Sequence, residues 1–273
     1  VAATRKRQLT ALGIALWGAG LFVSLSARHS LTRNFAGLIL VGAGWSITTP
    51  AAERRRRLEQ GGLRPEPAFP GFGQGALLGV PIFTAVIAIL AARHWYHFAD
   101  IGPRDAGEFA TLLALAVALV PAAALEEAIS RGFVYRRVEG RWGGPAALLV
   151  SSVIFAVPHA FNPNRSVTAI ASLLMAGVMF GGLYAATRSV WLTTGVHWMW
   201  NLLEGPGFGT RVSGFTTPSV VHPHLAGPVA WTGGKFGPEA GWAVVIVTGV
   251  VAAISLAVAL SRARFPVRGA VIT

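Results

Sequence analysis

The feature that most constrains this chain is a succession of apolar runs about as long as a bilayer is thick. A hydrocarbon core of roughly 30 Å takes about 20 helical residues. Eight runs of about that length, bounded by charge or by Pro/Gly clusters, lie at residues 8–26, 31–52, 72–92, 109–131, 145–160, 166–187, 189–204 and 240–261. Their composition excludes an ordinary soluble domain, since 53% of the 273 residues are hydrophobic and only 12% are charged. The expected fold is therefore all-α, a polytopic membrane bundle of about eight helices forming a single membrane domain over 1–273. The fifth and seventh runs are short, as suits helices shielded from lipid by their neighbours.

The excess of basic residues tests this arrangement, because short cytoplasmic loops collect Lys and Arg. With both termini cytoplasmic, the inner segments hold 15 of the 23 basic residues and the outer segments 7. The remaining one, Arg131, falls inside a run. A second reading takes residues 1–26 as a cleavable signal peptide, but an even number of spans agrees better with the charge distribution. Basic residues scattered beside spans argue against nucleic acid as a partner. The lipid bilayer itself is the expected surrounding, in a prokaryotic cell membrane. With no cysteine, disulfides, thiolate metal sites and thiol nucleophiles are excluded. Residues 205–239, rich in Gly, Pro, Thr and His and without helical periodicity, read as an extracytoplasmic loop. His222 and His224, with His94 and His97, read as exposed histidines rather than a metal site.

Ionisable groups inside spans are expensive and mark function. Here they are Glu126, Glu127, Arg131, His159, His197 and Glu204, joined by the amide Asn201. At about 100° per residue Glu126 and Glu127 diverge, whereas Glu127 and Arg131, four apart, can pair. Glu126 is then the free carboxylate, and its burial would suit a general base. His159 follows Pro158, which ends or kinks its helix. His197 and Asn201, also four apart, share a face. Taken singly, each has an ordinary explanation: a charge cluster at a helix end, an interfacial imidazole, a polar contact between helices. Taken together, a carboxylate and an imidazole can activate water, while a second imidazole and an amide can stabilise an oxyanion. Depths counted from the nearest charged ends put Glu126 roughly 15 Å, His197 roughly 9–12 Å and His159 roughly 21 Å from the inner side, so tilt and side-chain reach must unite them.

These residues resemble the CAAX protease and bacteriocin-processing family of intramembrane glutamic endopeptidases. Its pattern E-E-x-x-x-R, F-x-x-x-H and H-x-x-x-N is matched by Glu126-Glu127-Ala-Ile-Ser-Arg131, Phe155-Ala-Val-Pro-His159 and His197-Trp-Met-Trp-Asn201. Gly182-Leu183-Tyr184 and Thr194-Gly195 resemble further family features. The resemblance covers a catalytic core at 109–204 and implies a bundle of about eight helices around a cavity open to the cytosol. It also implies that Glu126 is the general base, that His159 helps hold and activate the water, and that His197 and Asn201 stabilise the oxyanion. Arg131 would be structural, supported by Glu127. Ala128-Ile129-Ser130 departs from relatives that carry larger apolar residues and Phe before the Arg. The implied reaction is hydrolysis of a peptide bond in a membrane-associated peptide or protein, with no cofactor and no metal. A zinc-dependent membrane protease and a non-enzymatic membrane immunity or binding protein are the alternatives. No H-E-x-x-H or H-x-x-E-H motif favours the zinc enzyme.

Overall fold

The computed structural model describes residues 68–266, all within the compact unit Gly61–Thr273. The two runs expected at 8–26 and 31–52, the alternative signal peptide and the basic segments before residue 65 lie outside the described residues.

Among the described residues five helices are long and apolar enough to cross a membrane: Ala68–Ala92, Ala106–Trp142, Gly144–Phe161, Val167–Thr187 and Trp242–Ser261. In chain order the elements are α1 (Ala68–Ala92), β1 (Tyr96–Ile101) and α2 (Ala106–Glu127). A π-helical segment (Ala128–Tyr135) follows and runs into α3 (Arg136–Trp142). Next come α4 (Gly144–Ala156), a 3-10 turn (Val157–Phe161), α5 (Val167–Thr187), α6 (Val190–Leu202) and a π-helical turn (Leu203–Gly207). The chain then forms β2 (Val221–Leu225), α7 (Val229–Thr232), a short 3-10 turn (Pro238–Ala240) and α8 (Trp242–Ser261).

Three helices, α2, α5 and α6, start where short polar side chains cap them. Asp105 accepts from the Glu108 amide at 2.8 Å, Ser166 from the Ala169 amide at 3.1 Å and Ser189 from the Leu192 amide at 3.1 Å, each occupying an amide that lacks a helical partner. Gly143, at φ 85°, turns the chain between α3 and α4. Arg188, at φ 57°, does the same between α5 and α6 and donates to Glu139 of α3 through both terminal nitrogens, at 2.5 and 2.9 Å.

Close helix approach is set by missing side chains. A Cβ on Gly75 of α1 would lie 2.0 Å from the Leu192 carbonyl oxygen, and one on Gly195 of α6 would lie 2.1 Å from that of Phe72. Gly71, Gly75 and Gly79, all facing α6, form a small-residue stripe along α1. The deeply buried α6 is thus only 13 residues long and is sheltered by longer helices. Apolar nearly all round, α5 is buried between α4 and α8.

Residues 205–239, expected to be loop, hold more structure than that. β2 pairs antiparallel with β1, Tyr96 opposite Leu225 and His97 opposite His224, with an irregularity between Phe98 and Asp100. Burial raises the pKa of Tyr96, whose hydroxyl donates to the Phe208 carbonyl at 2.7 Å. Phe236 is buried in the main core. The segment is therefore tied to the bundle. Its lack of helical periodicity reflected strand, short turns and irregular chain.

Candidate active site

The first motif sits where an α-helix changes its winding. Pro121 lacks an amide proton and so removes a helical hydrogen bond within α2. After Glu127 the chain continues as the eight-residue π-helical segment that carries Ser130 and Arg131. Such wide turns are uncommon and recur at functional sites. Ser130, the departure from the resembled pattern, is buried.

Glu127 and Arg131 form the expected ion pair at 2.9 Å, both fully buried. Arg131 also donates from Nη2 to the Gly177 carbonyl of α5 at 2.9 Å, and its guanidinium lies over the Phe155 ring at 4.8 Å and the Phe180 ring at 5.2 Å. It ties the first motif to α4 and α5.

His197, buried on α6, joins the same cluster. Its Nδ1 lies 3.1 Å from Glu127 Oε1, and its Nε2 lies 3.9 Å from Glu126 Oε2. A carboxylate shared with Arg131 can only accept, so Nδ1 carries the proton toward Glu127. The free carboxylate is less enclosed than its expected burial implied: the Glu126 side chain is 42% exposed. Only its Oε2 is shut away, and that atom has no hydrogen-bond partner. Helical spacing turns Glu126 off the buried Glu127–Arg131 face, and the neighbouring helices leave its side only partly covered.

His159 lies in the 3-10 turn that Pro158 helps start. Its Nδ1 donates to the Phe155 carbonyl at 2.9 Å, because a carbonyl only accepts. This leaves Nε2 of the neutral ring with its lone pair free. The His159 and His197 rings lie against the same Phe155 ring, at centroid distances of 5.3 and 5.6 Å. Half-buried Asn201 follows His197 by one turn on α6.

The depth disagreement has a structural answer for Glu126 and His159. The helix of Glu126 continues to Trp142 and turns back at Gly143. Glu126 lies 17 residues before that turn and His159 16 residues after it, at similar distances along the two helices, whereas His197 reaches Glu126 through the packing of α6 against α2.

Several contributors were not visible as site residues in the sequence: Gly177 and Phe180 of α5, and Trp198, whose Nε1 donates to the Ala116 carbonyl at 2.7 Å and ties α6 to α2. A small residue three before an aromatic one on an all-apolar helix is too common a pattern to single out. Glu204 is fully buried and accepts from Trp200 Nε1 at 3.2 Å. On the sheet, His97 Nε2 lies 2.8 Å from the His94 carbonyl and His222 Nε2 lies 3.2 Å from that of Gly102. Among the described residues no three or more His, Cys, Asp or Glu side chains gather as a metal site would require.

No curated protein and no solved structure matches the chain. A family model does match, over residues 108–203, and it is described as type II CAAX prenyl endopeptidase Rce1-like. That stretch contains the six residues to which the resemblance gives a role, from Glu126 to Asn201. The family is one of proteases, and its match together with the five apolar helices supports an integral membrane protein. Over residues 108–203 the chain is thus similar to the Rce1-like family, which agrees with the resemblance to the CAAX protease and bacteriocin-processing family that the motifs carry.

Proposed function

We propose that this protein is an intramembrane endopeptidase that hydrolyses a peptide bond with water activated at Glu126. The observation that carries the reading is the placement of His197 between two carboxylates of unlike exposure, Glu127 at 3.1 Å and Glu126 at 3.9 Å. One is buried and committed to Arg131. The other is reachable and takes the proton of the attacking water.

In this reading His159, anchored through Nδ1, accepts a hydrogen bond from the water at Nε2 and orients it. His197 and Asn201 stabilise the oxyanion that forms as water adds to the carbonyl. Because Nδ1 of His197 donates to Glu127, its Nε2 can donate to the oxyanion only when both ring nitrogens carry protons. The proton taken by Glu126 then passes to the leaving amine. Arg131 and Glu127 hold the frame. The substrate is a membrane-associated peptide or protein, the bundle has about eight spans with both termini cytoplasmic, and the membrane is that of a prokaryotic cell.

The test compares protein termini in membranes of cells expressing the wild type or Glu126→Ala, at matched expression and in metal chelator. New termini found only with the wild type support a metal-independent protease and name its substrates. Termini that vanish in chelator and return with zinc favour the metalloprotease. Identical termini with folded protein present overturn hydrolysis in favour of a binding or immunity role.

A further inference from the structure

No catalytic group comes from α5, yet this helix touches two residues of the cluster. Gly177 accepts from Arg131, and Phe180, three residues further along the same face, meets His197 with ring centroids 5.0 Å apart and planes inclined by 35°. Phe155 approaches His197 more nearly edge-on, at 64°. Both Phe rings are buried, with exposures of 3% for Phe180 and 5% for Phe155.

The position of Phe180 is itself held firmly. A Cβ on Gly177 would lie 2.8 Å from Ser152 Cα, so α5 and α4 touch through their backbones at this level. On the other side, a Cβ on Gly182 would lie 2.5 Å from Ser255 Oγ of α8. With α5 wedged between two helices, the backbone that carries Phe180 is fixed by the crossings, and its ring is enclosed at 3% exposure.

An imidazole tethered at one nitrogen can still swing about that hydrogen bond. The bond from Nδ1 to Glu127 fixes one point of the His197 ring, and the distance from Nε2 to Glu126 depends on the ring plane. An aromatic ring packed against the imidazole at a 35° tilt limits this freedom, with a contact geometry that an aliphatic side chain does not reproduce. We infer that Phe180 is a positioning residue: its ring sets the plane of the His197 imidazole and so aims Nε2 at the space beside Glu126. The inference rests on the reading of Glu126 and His197 as parts of one hydrolytic site, and it assigns α5 a role that the three motifs do not.

The experiment uses the full chain in detergent micelles with 15N-labelled histidine. The correlation of Nε2 with the carbon-bound ring protons of His197, identified by its loss in His197→Gln, reports by its line width whether the ring holds one plane and needs no substrate. In the wild type it is expected as a sharp single signal. In Phe180→Leu it broadens or disappears, and in Phe180→Tyr, which keeps the aromatic face, it persists. Phe180→Met serves the same purpose if the leucine variant does not fold. In cells, Phe180→Leu lowers the yield of wild-type-dependent termini about 10-fold, as expected for a displaced catalytic group, and Phe180→Tyr restores it. An unchanged His197 resonance in the folded leucine or methionine variant overturns the inference. Absence of any wild-type-dependent termini overturns the protease reading instead, and the resonance still decides whether Phe180 orients the ring.

Discussion

His197 and Arg131 share one oxygen: Glu127 Oε1 lies 3.1 Å from the imidazole Nδ1 and 2.9 Å from the guanidinium. A fully buried carboxylate thus joins the cation that ties three helices together to the imidazole of the proposed site. Removing that charge leaves Arg131 buried without its counter-ion. Glu127→Gln is expected to cost about 3–5 kcal/mol of stability, as broken buried pairs do. Denaturant unfolding in detergent measures this, and a double-mutant cycle with Arg131→Met should show strong coupling. Additive losses would mean the pair is not energetically linked.

Glu126 should behave in the opposite way. Its side chain is 42% exposed and lacks a salt bridge to Arg131, so Glu126→Gln leaves the melting temperature close to that of the wild type. Hydrolysis should fall by roughly 100-fold or more, the range expected on losing a general base. The comparison with Glu127→Gln is the informative one. A Glu126→Gln protein that melts early but still cleaves would reverse the two roles.

The crossing of α1 and α6 makes a prediction about packing. Gly75→Ala drives a methyl group to 2.0 Å from the Leu192 backbone oxygen, so the helices must separate, at a cost of about 1–3 kcal/mol. Gly73, two residues earlier, has no atom within 4 Å of where a Cβ would stand. Gly73→Ala should therefore be neutral or slightly stabilising, since alanine favours a helix over glycine. Equal melting temperatures for the two variants would contradict the observed close approach.

Arg188 separates charge from backbone geometry. It holds φ 57°, where a side chain is costly, while its guanidinium pairs with Glu139 and also donates to the Arg264 carbonyl. Arg188→Ala and Arg188→Gly lose the same side-chain contacts, but only glycine is at ease in the left-handed conformation. The glycine variant should be the more stable by about 1 kcal/mol. Thermal unfolding of the pair in one detergent reads this difference, and an alanine variant as stable as the glycine one would remove the backbone argument.

Much of the site was legible because an ionisable group in an apolar run is conspicuous. Glu127 and Arg131 could be paired from their spacing alone, since a helix brings residues four apart together whatever surrounds it. The positions of Pro158 and of His197 with Asn201 were equally local. The relation between His197 and Glu127 was not local, because 70 residues separate them and only the packing of α6 against α2 fixes their distance. Nor could the unequal exposure of Glu126 and Glu127 be read in full. Helical spacing showed that they diverge, but neighbouring helices decide which face is covered.

Periodicity and charge in the sequence by themselves determined helices within the described apolar runs, the approximate ends of all but the run at 109–131, and the identity of the polar residues they carry. Each of these depends on a few neighbouring residues and on the cost of placing charge among apolar side chains. Tertiary structure decided that residues 96–101 and 221–225 pair as strands, that Gly75 and Gly195 permit two backbones to touch, and that Phe180 meets His197. It also decided that the helix of Glu126 runs on to Trp142, which brings Glu126 and His159 to matching distances from the Gly143 turn. These are contacts between residues far apart in the chain, and their distances follow from how helices of unequal length pack rather than from any local preference.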